Sequence, residues 1–176
     1  MGRAALEGLV RAHFAHIRGL LERLTGSAAD AEDLAQECFL RARRAGDLPP
    51  EAERGWLVRV AVNLARDHGR RRGRARRRDE LAARARHERR PSEEAAEAPL
   101  ERDELRKAVQ RAVAELPERL RVPLVLRTFE GWSYDAIATH LGLRTGTVRV
   151  QVMEARRALE RSLGPLLDDD SAEGAR

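Results

Sequence analysis

The 176 residues predict an all-α fold: two small helical domains joined by a linker. Three observations carry that expectation. Apolar residues make up 42% of the chain and aromatics only 3%, with Ala, Leu and Val supplying most of the apolar content, a composition that suits small helix bundles better than sandwiches or barrels. Apolar positions recur at three- and four-residue steps through most of the chain. Between 79 and 99 that period dissolves. The expected boundaries are therefore a first domain over 1–78, a linker over 79–99, a second domain over 100–167 and an acidic, disordered tail over 168–176.

In the first domain, Leu6, Leu9, Val10, Phe14, Ile17, Leu20, Leu21 and Leu24 form one stripe on a helix from about Ala4 to Leu24, ended by Thr25 and Gly26. The next segment, "SAADAEDLAQECFLRARRAG", opens with Ser27 as a cap and Asp30 three residues on, and its acids crowd the first turns, where the helix dipole favours them. Gly46 closes that helix, and Pro49 and Pro50 are expected to keep the following loop extended. A third helix, "ERGWLVRVAVNLARDHGRRR", buries Trp56, Leu57, Val60, Ala61 and Leu64 and exposes Arg59, Asn63, Arg66, Asp67 and Arg70. The stretch "HERRPSEEAAEAP" has no large apolar residue and two prolines, and reads as a flexible or partly helical linker. Leu105, Val109, Val113 and Leu116 begin the stripe of the second domain.

Charge is unevenly placed. Net charge is +5, yet 66–78 holds eight arginines against one acid, Asp67, while 27–37 holds four acids and no base. One basic patch and one acidic helix suit two partners of opposite charge, although Lys107 is the sole lysine and an arginine-biased composition alone can make a solvated run. Cys38 is the only cysteine, which leaves no internal disulfide and no cysteine-cluster zinc site; it is expected to be buried. The pair His13 and His16 lacks a third ligand, and nothing sets a nucleophile beside a base, so neither metal nor cofactor nor enzyme activity is expected. No apolar run reaches the roughly 20 residues of a membrane span, and a cytoplasmic protein without direct membrane insertion is expected.

In the second domain, Ser133 can cap a helix "YDAIATHL", Gly142 supplies a left-handed turn, and Thr145 can cap a second helix from about Gly146 to Leu163. Ala138, Gly142 and Val148 have the spacing of a helix-turn-helix: a small residue at the crossing, a glycine in the turn and a branched residue that docks the second helix. Val148, Val152, Ala155 and Leu159 point inward. Thr145, Thr147, Arg149 and Gln151 lie on the first turns, where base edges of a major groove are reached, and Arg156 lies further along, near phosphates. An ordinary helix pair with solvated arginines is the plainer alternative.

Three segments, "DAEDLAQECFLRARR", "WLVRVAVNLARDHGRRR" and "LPERLRVPLVLRTFEGWSYDAIATHLGLRTGTVRVQVMEARRAL", together resemble the extracytoplasmic-function (group 4) sigma factors, promoter-specificity subunits of bacterial RNA polymerase. The likeness runs from about Leu6 to Leu163 and covers the second and fourth conserved sigma regions. It implies that Asp30, Glu32, Asp33, Leu34, Gln36 and Glu37 dock on core polymerase, with Phe39 and Leu40 packing inward. The loop "AGDLPPEAERG", with Asp47 and Leu48, would capture a flipped base of the melted non-template strand in the minus-ten element, beside Arg59, Asn63, Arg66, Asp67, Arg70, Arg71 and Arg72. Arg144, Thr145, Thr147, Arg149, Gln151 and Arg156 would read the duplex minus-thirty-five element. Gln151 and Glu154 stand where related sequences carry basic residues, and Pro123 suggests a helix beginning close to it. An anti-sigma factor is the further partner implied. The rival functions are a helix-turn-helix repressor and a sigma-like interaction protein without initiation activity; a repressor has no evident use for the acidic helix.

Overall fold

The computed structural model describes residues 2–84 and 101–173, with side chains over 2–74 and 107–164; within the expected linker, 85–99 therefore lie outside the described residues. The described residues form seven helices: α1 (Arg3–Thr25), α2 (Ala28–Ala45), α3 (Pro50–Arg84), α4 (Glu101–Glu115), α5 (Glu118–Thr128), α6 (Tyr134–Leu141) and α7 (Thr145–Glu173).

Helix α1 presents Leu9, Ile17, Leu20, Leu21 and Leu24 as one buried stripe. It ends because Gly26 turns left-handed at φ 73°, with its N–H donating to the Glu22 carbonyl. Ser27 then caps α2, its hydroxyl accepting from the Asp30 N–H at 3.2 Å. The buried face of α2 is built from Ala31, Ala35, Cys38, Phe39 and Ala42, and its alanines and cysteine are small enough to let α1 approach closely. Leu57, Val58, Ala61 and Val62 of α3 close the first bundle.

Four expectations need correction. Pro50 does not extend a loop but opens α3: its fixed φ suits the first helical position, where no N–H partner is needed, and the Pro49 carbonyl accepts from Ala52 at 2.8 Å. Pro123 does not begin a helix either. It lies inside α5, buried, forgoing one backbone hydrogen bond while its ring joins the core beside Val122 and Leu124. The cap of α7 falls on Arg144, whose carbonyl accepts from Val148 at 3.1 Å, because the Thr145 hydroxyl reaches across to Asp135 at 2.7 Å instead. Finally, the backbone of α7 stays helical through Glu173, past the point where a disordered tail was expected at 168; one proline at 165 removes a single hydrogen bond and does not end the ladder. Residues 174–176 lie outside the described residues.

In the second domain α6 is capped by Ser133 and closed by Gly142 at φ 67°, and Ala138, Val148, Val152 and Ala155 bury the crossing of α6 and α7. The helix-turn-helix geometry thus follows from the small residue, the glycine and the branched residue in that order. No charged or polar residue is buried as a whole among the described residues, although the Glu130 side chain is only 2% exposed, so the fold rests mainly on apolar packing.

Leu21 is fully buried where α1 meets its neighbours, so Leu21→Ala is expected to cost about 2–5 kcal/mol of stability, read as a lowered urea midpoint. Cys38 donates to the Leu57 carbonyl at 3.6 Å, and burial pushes its thiol up to about 12. A maleimide or disulfide reagent at pH 8 should therefore label the native chain roughly a thousandfold more slowly than the urea-unfolded one; equal rates would show that Cys38 is reached in the folded state.

Candidate polymerase and nucleic-acid interfaces

Three surfaces present the charged residues singled out by sequence. The first is the outer face of α2. Asp33 and Gln36 are exposed, Glu37 is half-buried and takes Arg41 at 2.9 Å, and Glu32 and Leu34 are half-buried beside them. Leu40 corrects its expected inward packing: Phe39 occupies the core position, and 100° further round the helix Leu40 emerges 39% exposed on the same face as Asp33, Gln36 and Glu37. It adds an apolar contact to an acidic surface. Asp30 is turned the other way, towards α3, where its carboxylate accepts from Arg72 Nη1 at 2.6 Å and lies 3.4 Å from His68 Nε2.

The second surface runs along α3 and the loop before it. Arg59, Asn63, Arg70, Arg71 and Arg72 are exposed, and Arg66 and Asp67 are half-buried. Asp67 pairs with Arg70 one turn on, and that hydrogen bond holds its carboxyl below the usual carboxylate range. Arg66 Nε lies 3.7 Å from Glu118 Oε1 of α5. On the loop, Asp47 is exposed and Leu48 is half-buried. The side chains of Arg76, Arg77 and Arg78, the end of the arginine run, lie outside the described residues. The face is cationic but not a bare patch: several arginines are held by carboxylates, which orders the guanidinium groups without cancelling the local excess.

The third surface is the exposed side of α7. Arg144, Thr147, Arg149 and Arg156 face outward. The Arg149 guanidinium lies 5.5 Å from the Tyr134 ring centroid, and Arg127 lies 4.8 Å from the same ring. Thr145 is committed to Asp135, and Gln151 is half-buried with its Oε1 enclosed, so these two do not project as Arg149 does. Glu154 accepts from Arg119 Nη1 at 3.0 Å, so the carboxylate that stood out in the sequence is locally neutralised by α5. Two residues missed in the sequence lie here: Val150, 48% exposed, and Met153, 43% exposed. Their signal was available, since Val148, Val152 and Ala155 already fill the inward positions and leave these two apolar side chains on the outer face.

His13 and His16, a pair that lacks a third ligand in the sequence, turn to separate carboxylates: Glu53 at 3.3 Å and Glu130 at 3.0 Å. Among the described residues no group of His, Cys, Asp and Glu is placed to hold a metal ion, and no helix is long and apolar enough to cross a membrane.

The family model "Sigma-70 region 2" matches residues 9–75, and "Sigma-70, region 4" matches 106–159. The chain is 38% identical to the RNA polymerase sigma-H factor of Pseudomonas aeruginosa, covering 94% of this chain and 89% of that one. It is 32% identical to the ECF RNA polymerase sigma-E factor of Escherichia coli, covering 86% and 82%. A solved sigma factor RpoE from Bartonella quintana, in complex with the anti-sigma factor NepR, shares the fold with a TM-score of 0.64 at 20% identity, covering 90% of this chain and 96% of that one. The two matched regions take in α1–α3 and most of α4–α7, in that order, and the relatives align over most of their own length. The protein therefore belongs to the extracytoplasmic-function sigma factors, subunits that bind core RNA polymerase and direct it to promoters.

Proposed function

We propose a division of labour among the three surfaces. The α2 face, with Asp33, Gln36, Glu37 and Leu40 at its centre and Glu32 and Leu34 at its edge, docks on core polymerase; Asp30 acts there by tying α2 to Arg72 of α3. The loop with Asp47 and Leu48, together with Arg59, Asn63, Arg66, Asp67, Arg70, Arg71 and Arg72, takes the melted non-template strand of the minus-ten element. On α7, Arg144, Thr147 and Arg149 reach base edges of the minus-thirty-five duplex, Arg156 meets phosphate, and Thr145 and Gln151 support the helix from behind. The observation that carries this reading is the segregation of charge: an acidic outer face on α2, with cationic faces on α3 and α7, in one chain of the family.

The chemistry is non-covalent. A base leaving the stack costs a few kcal/mol, which a preformed loop with cationic surroundings offsets. Each phosphate neutralised by an arginine releases counterions, so binding should weaken steeply with salt. Such a subunit works in the cytoplasm, without a metal or cofactor. An anti-sigma factor is the expected regulator; the Bartonella quintana neighbour was solved with one.

Mixed with bacterial core polymerase and fragmented genomic DNA, the protein should yield discrete runoff transcripts that core alone does not make; stable core binding without new transcripts would leave an interaction protein. Asp33→Arg should weaken core binding in a pull-down by about tenfold with duplex minus-thirty-five binding kept. Arg149→Ala should do the reverse, costing roughly 1–3 kcal/mol of base discrimination. Equal damage to core binding by both would overturn the division.

A further inference from the structure

We infer that Tyr134, the first residue of α6, is a positioning residue for base recognition: its ring holds the Arg149 guanidinium of α7 and leaves the N–H edge of that group free for a base in the major groove. The inference rests on the reading of α7 as the helix that meets duplex DNA.

The ring is a fixed platform. Ser133 caps α6 by accepting from the Ala136 N–H at 3.1 Å, and Asp135 accepts from the Thr145 hydroxyl at 2.7 Å. The residues on both sides of Tyr134 are thus tied down, the second of them to the start of α7. The ring itself packs, partly buried, against the core. Two guanidinium groups lie over it, Arg127 at 4.8 Å and Arg149 at 5.5 Å from its centroid. They differ in freedom. Arg127 is half-buried and donates from Nη1 to the Trp132 carbonyl at 2.9 Å, which commits it to the turn before α6. Arg149 is exposed, and among the described residues no carboxylate or carbonyl takes it; the ring is the partner it has.

The kind of partner matters because base reading uses the part of a guanidinium that a ring does not. An aromatic quadrupole attracts a cation over the ring face, whereas the N–H donors of a guanidinium lie in its own plane and point outward. A guanidinium held by a carboxylate, as Arg119 is by Glu154 and Arg70 by Asp67, has part of that donor fork occupied and must give up an ion pair before it meets another acceptor. One held by a ring keeps the fork. It can then take guanine O6 and N7 together, the commonest specific contact that arginine makes in the major groove. Holding Arg149 also removes rotamer freedom that would otherwise be lost on binding. Arg156 supplies the contrast: it faces outward with no ring over it among the described residues, as suits a contact to phosphate, which carries no sequence information.

The test uses the full chain with core polymerase and a labelled duplex library with a randomised centre, so that no promoter sequence is presupposed. Selection on the library gives the base preferences of the parent, Tyr134→Leu, Tyr134→Phe, Arg149→Ala and the variant carrying both Tyr134→Leu and Arg149→Ala. Fluorescence anisotropy gives their affinities for the duplex that the parent binds best. Circular dichroism checks helix content, with Tyr134→Met as the ring-free replacement should leucine lower it. We expect Tyr134→Leu to weaken duplex binding about fivefold, the size of an exposed cation–π contact, and to flatten the preference at the same base pair as Arg149→Ala. Tyr134→Phe keeps the ring and should stay within about twofold of the parent, and Tyr134→Leu should add almost nothing once Arg149 is gone. A loss that persists in the double variant, or one spread evenly over all base pairs, would overturn the proposal by making Tyr134 a merely structural residue. An equal loss in Tyr134→Phe would overturn it by assigning the effect to the hydroxyl, and so would an unaffected Tyr134→Leu beside a damaged Arg149→Ala. If Arg149→Ala changed neither affinity nor preference, the reading of α7 would fail and the proposal with it.

Discussion

The apolar stripe of α1 is the constraint on which the rest depends. Ile17, Leu20 and Leu21 have no exposed surface, and α1 packs against α2, α3, α4 and α5, so one helix serves as the wall of the first bundle and the bed of the second. That is possible because the partners are slim where they meet it: alanines at 31, 35 and 42 on α2 leave room for large leucines opposite. Close packing then sets the angle of α3, and with it the direction in which Arg59, Asn63 and Arg70 point.

The residues buried as a whole are apolar among the described residues, so charge is left to the surface or to the junction of α1 and α3 with the turn after α5, where its partners decide what it can do. Asp30, Asp67 and Glu118 each engage an arginine of α3. Such exposed pairs add little stability. Their effect is positional: they hold guanidinium groups that would otherwise sample many rotamers. Glu130 differs because it is enclosed, meeting His16 of α1 and Arg54 of α3, so the packing of α5 against these helices loses more from its removal than the surface would from any single acid.

The α7 surface departs from a purely cationic reading helix. Glu154 is answered by Arg119, Gln151 turns inward, and Val150 and Met153 present apolar atoms between the arginines. The outer face of α7 therefore combines the Arg156 guanidinium with exposed apolar atoms. Arg119 brings a guanidinium from α5 to its border, so the charge lost at Glu154 is partly restored from a neighbouring element.

What the sequence determined by itself is local. The apolar period places α1, α2, α4 and α6, Ser27 and Ser133 announce two helix starts, Gly26 and Gly142 two ends, and the spacing of Ala138, Gly142 and Val148 makes the helix-turn-helix, because each signal acts within a few residues along the chain. The acidic and basic segments were readable for the same reason, and most of the residues singled out there lie on the surface of the described helices. Prolines were the local signals that misled: at 50 and 123 the same ring that can interrupt a helix sits where a helix tolerates it, and only the packing around it distinguishes the cases. The tertiary structure alone decided which charged residues are free and which are taken. Asp30 finds Arg72 across 42 residues, Arg54 finds Glu130 across 76 and His16 finds Glu130 across 114, and no periodicity along a chain encodes a partner that only the docking of helices brings within reach. The outward emergence of Leu40, Val150 and Met153 is intermediate: helix geometry permits it, but the inward positions had first to be filled by their neighbours.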